Sequence, residues 1–251
     1  MSSPLQITLM NIELFIPCFI DQLYPQTAFN TVKVLEKAGC TVIYNDGQTC
    51  CGQPAFNAGF WDEAKKVGGK FLNDFTGENY IVSPSASCTG MVKNYYNDLF
   101  TNTIEHNKCR SIQSNIHELS DFLVNVVKKD YFGAELEGKA VYHDSCAGLR
   151  ECGIKSEPRQ LLSKVHGLDL VEMKDTDVCC GFGGTFTVKF QGISSAMAEQ
   201  KVQNAMEMEA EYIISTDASC LLQLQAYIDK HNIPMKTMHL ADVLAHGWGN
   251  V

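Results

Sequence analysis

The chain has 251 residues, 45% of them hydrophobic and 20% charged, enough for one large core or two modest ones. A formal charge of -9 with no offsetting basic cluster argues against a nucleic-acid surface. The longest apolar run, Leu14 to Ile20, is broken by Pro17 and falls far short of the ~20 residues that cross a bilayer, so no transmembrane segment is expected. The N-terminus lacks a basic stretch followed by an apolar one, so no secretory leader is expected either. The expected compartment is the cytoplasm, where thiols stay reduced and a disulfide scaffold has no place.

In chain order, Ile7 to Cys18 reads as a buried strand running into a loop. Ala28, Val32, Leu35 and Ala38 then recur at helical spacing, and Gly39 stops the helix. A second strand, Thr41 to Tyr44, leads to Cys50-Cys51-Gly52, and a longer helix covers Asp62 to Phe75. The strand Tyr80-Ile81-Val82-Ser83 ends at Cys88, and Ile116-His117-Glu118-Leu119 closes the first half. The plan then repeats: a strand over Ala140 to Cys146, a helix opened by Ser156 and Pro158 and closed by Gly167, and a strand over Leu168 to Val171. Cys179-Cys180-Gly181 follows, then a helix over Ser194 to Glu209, the strand Tyr212-Ile213-Ile214-Ser215, Cys220 and a tail at Met238-His239-Leu240-Ala241. Alternating strand and helix predicts an α/β fold of two pseudo-symmetric repeats, each a small parallel sheet flanked by helices. The expected division is 1–136 and 137–251.

Eight of the 11 cysteines fall into two matching frames. In the first, 31 residues separate Cys18 from Cys50-Cys51 and 36 separate Cys51 from Cys88. In the second, 32 separate Cys146 from Cys179-Cys180 and 39 separate Cys180 from Cys220. Core packing asks only for small apolar residues at loose positions, so a repeated spacing points to placement. Each cysteine loop follows a strand, and in open parallel sheets the ligand crevice lies at the carboxyl ends of the strands. Four thiols per half can therefore meet, as a soft metal centre requires. Adjacent cysteines suit neighbouring atoms of a multi-iron cluster better than one tetrahedral zinc ion, which favours Cys-x2-Cys. The glycines after each pair allow close backbone approach and N–H donation to cluster sulfur. If only one frame is filled, the second is favoured, for Gly181-Phe182-Gly183-Gly184.

The remaining candidates carry weaker signals. Cys40 and Cys109 read as packing residues, and Cys152 is a candidate extra ligand. His143 or Asp144 suits a place beside the cluster or a proton acceptor, and a helix-capping turn is an equal alternative. Arg150 is a candidate partner for a substrate carboxylate, with a surface ion pair as the ordinary alternative. His117 and His239 are expected to be satisfied structural residues. Gly68-Gly69-Lys70 lacks the pattern of a phosphate loop, and no Gly-x-Gly-x-x-Gly is present, so no dinucleotide is expected.

Four stretches carry a family resemblance: Cys50-Cys51-Gly52-Gln53-Pro54-Ala55, Ser83-Pro84-Ser85-Ala86-Ser87-Cys88, Tyr142-His143-Asp144-Ser145-Cys146 and Cys179-Cys180-Gly181-Phe182-Gly183-Gly184-Thr185-Phe186. They resemble the cysteine-rich CCG domains of heterodisulfide reductases and of glycolate oxidase iron–sulfur subunits, and more closely those of the lactate-utilisation protein A family. The resemblance implies a cytoplasmic iron–sulfur electron-transfer subunit. It would join sister iron–sulfur subunits in an L-lactate dehydrogenase complex that oxidises L-lactate to pyruvate and passes electrons to an acceptor. It implies one or two [4Fe–4S] clusters on Cys18, Cys50, Cys51 and Cys88 and on Cys146, Cys179, Cys180 and Cys220. The wider family has a fifth thiol in each frame, where this chain has Ser85 and Asp217. Helix capping is the expected role of those two, and four thiols suffice for an ordinary cube. The alternatives are a zinc-stabilised subunit without redox role and a heterodisulfide-reductase-like thiol/disulfide oxidoreductase.

Overall fold

In the computed structural model, which describes residues 10–248, the two halves form two four-stranded parallel sheets of the same topology. The first contains β1 (Met10–Leu14), β2 (Cys40–Tyr44), β3 (Tyr80–Ser83) and β4 (Ile116–Glu118), in the order β2-β1-β3-β4. The second contains β5 (Glu135–Tyr142), β6 (His166–Val171), β7 (Tyr212–Ser215) and β8 (Lys236–His239), in the order β6-β5-β7-β8. The part of the first strand expected over Ile7 to Leu9 lies outside the described residues. The registers also match: Ile12 lies opposite Tyr80 as Ala140 lies opposite Tyr212. In this order the chain reverses direction across the sheet between β1 and β3, and again between β5 and β7, which puts a crevice at the carboxyl ends of those strands.

The helices follow local rules. Pro25 opens the helix Pro25–Ala38 from a first-turn position where its missing N–H costs nothing, and Gly39 closes it at φ +95°. Helices Trp61–Asp74 and Gln191–Glu207 follow the two Cys-Cys-Gly loops, within three residues of the expected bounds. Helix Ala218–Lys230 carries Cys220 in its first turn. Two stretches widen to π-helical geometry, Met91–Tyr95 and Phe122–Val127, and neither is expected from the sequence. No helix among the described residues is long and apolar enough to cross a membrane.

Three apolar cores organise the molecule. One belongs to the first half and is built on Phe15, Phe71, Phe75, Tyr96 and Ile116. One belongs to the second half and is built on Val141, Val202, Ile213, Leu224 and Ile228. The largest is shared: Leu14, Val34 and Leu35 of the first half pack with Leu161, Leu162, Ile214 and Leu240 of the second. Each sheet therefore has one face on its own core and one on the common core. Strand β5 begins at Glu135, just before the expected junction at 136/137, and we propose 128–134 as the joint between the repeats.

The halves also touch through small residues and buried polar groups. A Cβ on Gly90 would lie 2.3 Å from Glu151 Oε2, so the helices Ala86–Gly90 and Cys146–Arg150 approach as closely as they do because Gly90 has no side chain. His239 Nε2 donates to the carbonyl of Pro84 at 2.8 Å, while its Nδ1 accepts from Ala241 N. Glu118 is buried, with Oε2 accepting from the Ser120 and Asp121 N–H groups of its own helix and Oε1 without a partner among the described residues.

This packing has consequences for stability. Leu240, fully buried in the common core, is expected to cost about 2–5 kcal/mol when changed to Ala, with one cooperative unfolding transition retained; separate melting of the two halves would contradict the shared core. Burial pushes the Glu118 carboxyl up to about 8, so the folded protein keeps a proton that the unfolded chain has already released. Stability then falls as pH rises from the ordinary carboxylate range to about 8. Glu118→Gln is expected to leave stability at pH 4 unchanged and to raise it above pH 8 by on the order of 4 kcal/mol, read as denaturant midpoints across pH.

Candidate functional site

Each half delivers its cysteines from the carboxyl ends of three neighbouring strands. In the first, β1 runs into Pro17 and Cys18, the first residue of helix Cys18–Leu23. The loop after β2 carries Cys50 and Cys51, and β3 runs into the helix Ala86–Gly90 that holds Cys88. In the second, β5, β6 and β7 do the same for Cys146, for Cys179 and Cys180, and for Cys220. The four single cysteines all sit in first helical turns, where backbone N–H groups have no intrahelical acceptor. All eight thiols line one cleft of about 250 Å³ between the halves. The sequence spacing predicts each set of four; that the two sets share a cleft comes from the packing of the halves.

Within each set the thiols are coupled neighbours, Cys50 with Cys18 and Cys51, and Cys179 with Cys146 and Cys180. The N–H of Gly52 adds a bond to Cys50 Sγ at 3.4 Å, and the N–H of Gly181 adds one to Cys179 Sγ at 3.4 Å. These neighbours hold Cys50 as a thiolate, its pKa down at about 3, and Cys179 likewise at about 2. The adjoining thiols Cys18, Cys51, Cys146 and Cys180 are pushed up, by those sulfurs and by burial. Both glycines are in the left-handed region, Gly52 at φ +86° and Gly181 at φ +90°, and a Cβ on Gly181 would lie 2.6 Å from the Ser194 carbonyl. The turn that aims the N–H at sulfur therefore requires glycine.

The other candidates fall as follows. His143 is fully buried at the end of β5; its ring lies within 4.8 Å of the Cys180 and Cys220 sulfurs, and neither ring nitrogen has a hydrogen-bond partner among the described residues. Burial, with the Lys201 ammonium nearby, pulls its imidazole down to about 4, so the ring is neutral at pH 7. Asp144 pairs with both terminal nitrogens of Arg159, at 2.8 and 2.9 Å, and Ser145 Oγ caps the Cys146 helix by accepting from Gly148 N at 3.0 Å. Arg150 is exposed and reaches the Asp177 carbonyl. Cys40 and Cys109 pack in the cores as expected, and His117 pairs with Asp121. Cys152 is not among the residues lining the cleft, and its thiol lies on the Ala86 carbonyl at 3.4 Å.

Ser85 caps its own helix as expected, accepting from Cys88 N. Asp217 departs from that expectation. It makes no side-chain bond to its own helix among the described residues and accepts instead from Ser87 N at 3.1 Å and Ser87 Oγ at 2.7 Å, across the cleft. The two positions that lack the fifth thiol thus face each other, Ser85 Oγ to Asp217 Oδ1 at 3.4 Å, and tie the halves together. Lys201 and Arg159 are not anticipated from the sequence. For Lys201 a signal was present, a lysine on the helix face that otherwise buries Ala198, Val202 and Ala205.

Sulfur donors in two converging sets, glycine N–H groups aimed at sulfur and an imidazole with unspent nitrogens make a donor set for soft metals and metal–sulfur groups, not for calcium or magnesium. In metal-free protein, iodoacetamide at pH 6 is expected to label Cys50 and Cys179 well ahead of Cys51 and Cys180. Because the shift is downward, labelling should persist until the pH approaches 3 to 4. Peptide mass spectrometry reads this, and labelling that begins only near pH 8 would overturn the assigned thiolates.

The cysteine-rich CCG domain matches this chain twice, over residues 12–93 and 140–225. Lactate utilization protein A 2 of Bacillus cereus is 39% identical over 239 residues, which cover 95% of this chain and 99% of that protein. Lactate utilization protein A of Anoxybacillus flavithermus is 39% identical over 237 residues, covering 94% of this chain and 100% of that one. A crystal structure of a hypothetical protein from Helicobacter pylori shares the fold, with a TM-score of 0.56 at 12% identity; the match covers 99% of this chain and 50% of that one. With both Cys-Cys-Gly frames inside the matched segments and relatives aligned end to end, the chain belongs to the lactate utilization protein A family and carries two copies of the cysteine-rich CCG domain.

Proposed function

We propose that this chain is an iron–sulfur electron-transfer subunit of a complex that oxidises L-lactate to pyruvate. The carrying observation is the convergence of two four-thiol sets on one cleft. Cys18, Cys50, Cys51 and Cys88 would hold one [4Fe–4S] cluster, and Cys146, Cys179, Cys180 and Cys220 a second. When bound, each cluster supplies one-electron redox capacity, so two match the two electrons that leave a hydroxy acid as it becomes a keto acid. Lactate comes to this chain from the names of its relatives, and the compartment proposed for it is the cytoplasm.

The chain's own residues hold and tune. Metal entry displaces the protons that Cys18, Cys51, Cys146 and Cys180 carry in the thiol sets, so binding is expected to release protons and weaken at low pH. The N–H groups of Gly52 and Gly181 stay on sulfur, where donors favour the reduced, more negative state. Burial of Cys51, Cys180 and Cys220 keeps water from one side of the site, while the exposed Cys18 leaves an edge toward the surface. That edge suits electron exchange with sister iron–sulfur subunits and an acceptor.

The deciding experiment is iron and acid-labile sulfide per chain, with the visible spectrum, on protein purified and reconstituted without oxygen. Near-equal iron and sulfide at about four per filled set is the expected result. Cys51→Ser or Cys180→Ser should each remove about half of it if both sets fill. Stoichiometric zinc without sulfide, or neither iron nor sulfide, would overturn the reading.

A further inference from the structure

The two thiol sets are alike in sulfur and unlike in what stands behind it. Phe15 and His143 occupy the same place: each is the first residue past its strand, and each donates its N–H to the neighbouring strand, Phe15 to Val82 O at 2.9 Å and His143 to Ile214 O at 2.8 Å. Phe71 and Lys201 correspond as well. Each lies on the buried face of the helix that follows its Cys-Cys-Gly loop, one residue before Leu72 or Val202. In the first half Phe15 and Phe71 meet edge to face, ring centres 4.8 Å apart, and pack with Phe75 and with Tyr96, whose hydroxyl donates to the Cys51 carbonyl at 2.9 Å. In the second half the places of Phe15 and Phe71 hold an imidazole and an ammonium. Lys201 is 1% exposed and its Nζ donates to the Asp175 carbonyl. His143 is 0% exposed and both of its nitrogens are unspent, within reach of Cys180 and Cys220.

A buried imidazole with no partner among the described residues forfeits its hydrogen bonds to water, and a phenylalanine fits the equivalent place without that cost. A ring nitrogen within 4.8 Å of two sulfurs is accounted for if one of those sulfurs accepts its N–H once it carries metal. We propose that His143 is a positioning residue for the second centre alone, donating a ring N–H to the sulfur of the group held by Cys180 and Cys220, and that this donor makes the two centres of the chain electronically unequal. The proposal rests on the iron–sulfur reading above. An imidazole carries at least one N–H in either charge state, so the donor persists across pH. A donor on cluster sulfur stabilises the added electron and raises the reduction potential. The second centre therefore owes part of its potential to His143, whose matching place in the first half is taken by Phe15.

The test is an anaerobic redox titration of the reconstituted full chain, followed by electron paramagnetic resonance, for wild type, His143→Phe and His143→Gln. Phenylalanine is already accommodated at the matching site in the first half, so His143→Phe is expected to fold and to retain iron. It should lower the midpoint of one of the two signals and leave the other unmoved. Glutamine keeps an N–H of similar reach and should restore most of that shift. An unmoved His143→Phe titration, an equal shift of both signals, or a glutamine variant that behaves like phenylalanine would each overturn the proposal. If His143→Phe loses the second centre, the glutamine variant decides: a retained centre at the wild-type potential supports the donor role, and a lost or shifted one overturns it. Wild type without iron or sulfide is the separate result that removes the iron–sulfur reading itself.

Discussion

The structure depends on the common core between its two sheets. Each half is a four-stranded layer whose inward face is completed by the other half, with Leu14, Val34 and Leu35 of the first packed in one core with Leu161, Leu162, Ile214 and Leu240 of the second. A face of that size left in water would forfeit about 25 cal/mol for every Å². Pairing the halves removes this cost, and it also sets the angle at which the carboxyl ends of β1 and β3 confront those of β5 and β7. The cleft is the gap left above the common core where the strand ends meet. Its eight thiols converge because the apolar faces below them must.

The polar contacts across the halves make sense on the same footing. Asp217 and His239 bridge to the first half from inside the protein, where an unpaired carboxylate or imidazole would be destabilising, and each has its partners, Ser87 for one and Pro84 for the other. Hydrogen bonds with strict geometry fix the register that apolar packing leaves loose. Asp217 adds a second effect. Burial raises its carboxyl above the ordinary range, and it stands beside the second thiol set, where the first set has the uncharged Ser85. The positions without a fifth thiol have thus become part of the joint between the repeats.

Much of the fold was legible because it is local. Tyr80–Ser83 and Tyr212–Ser215 are short apolar runs that stop at polar turns, and the structure has both strands with those bounds. Helix Pro25–Ala38 is bounded by a proline and a glycine, each of which does one thing well at a helix end. The repeat of the cysteine spacing carried the eight site residues for the same reason: a loop after a parallel strand has only one end of the sheet to occupy. What the sequence hid is long-range. Nothing in the spacing brings Cys18 near Cys146, Ser87 to Asp217, or Cys152 onto the Ala86 carbonyl. The π-helical turns at Met91–Tyr95 and Phe122–Val127 were equally out of reach, since one extra residue per turn leaves the apolar pattern almost unchanged.

The internal repeat supplies its own control for function. Two copies of one scaffold, aligned strand by strand, keep the cysteines, the glycine turns and the strand-end hydrogen bonds, and differ in the residues packed behind the sulfurs. Packing alone does not account for that difference, because Phe15 and Phe71 fill the first wall with apolar surface while His143 and Lys201 fill the second with groups that are costly to bury. An imidazole within 4.8 Å of two sulfurs on one side only makes the two sets unlike as donor sets. Under the electron-transfer reading proposed above, unlike walls would give the two centres unlike potentials, and unlike potentials set a direction. The asymmetry of the walls is therefore a difference in chemistry between two sites of one scaffold, and it sits where the groups they hold would feel it.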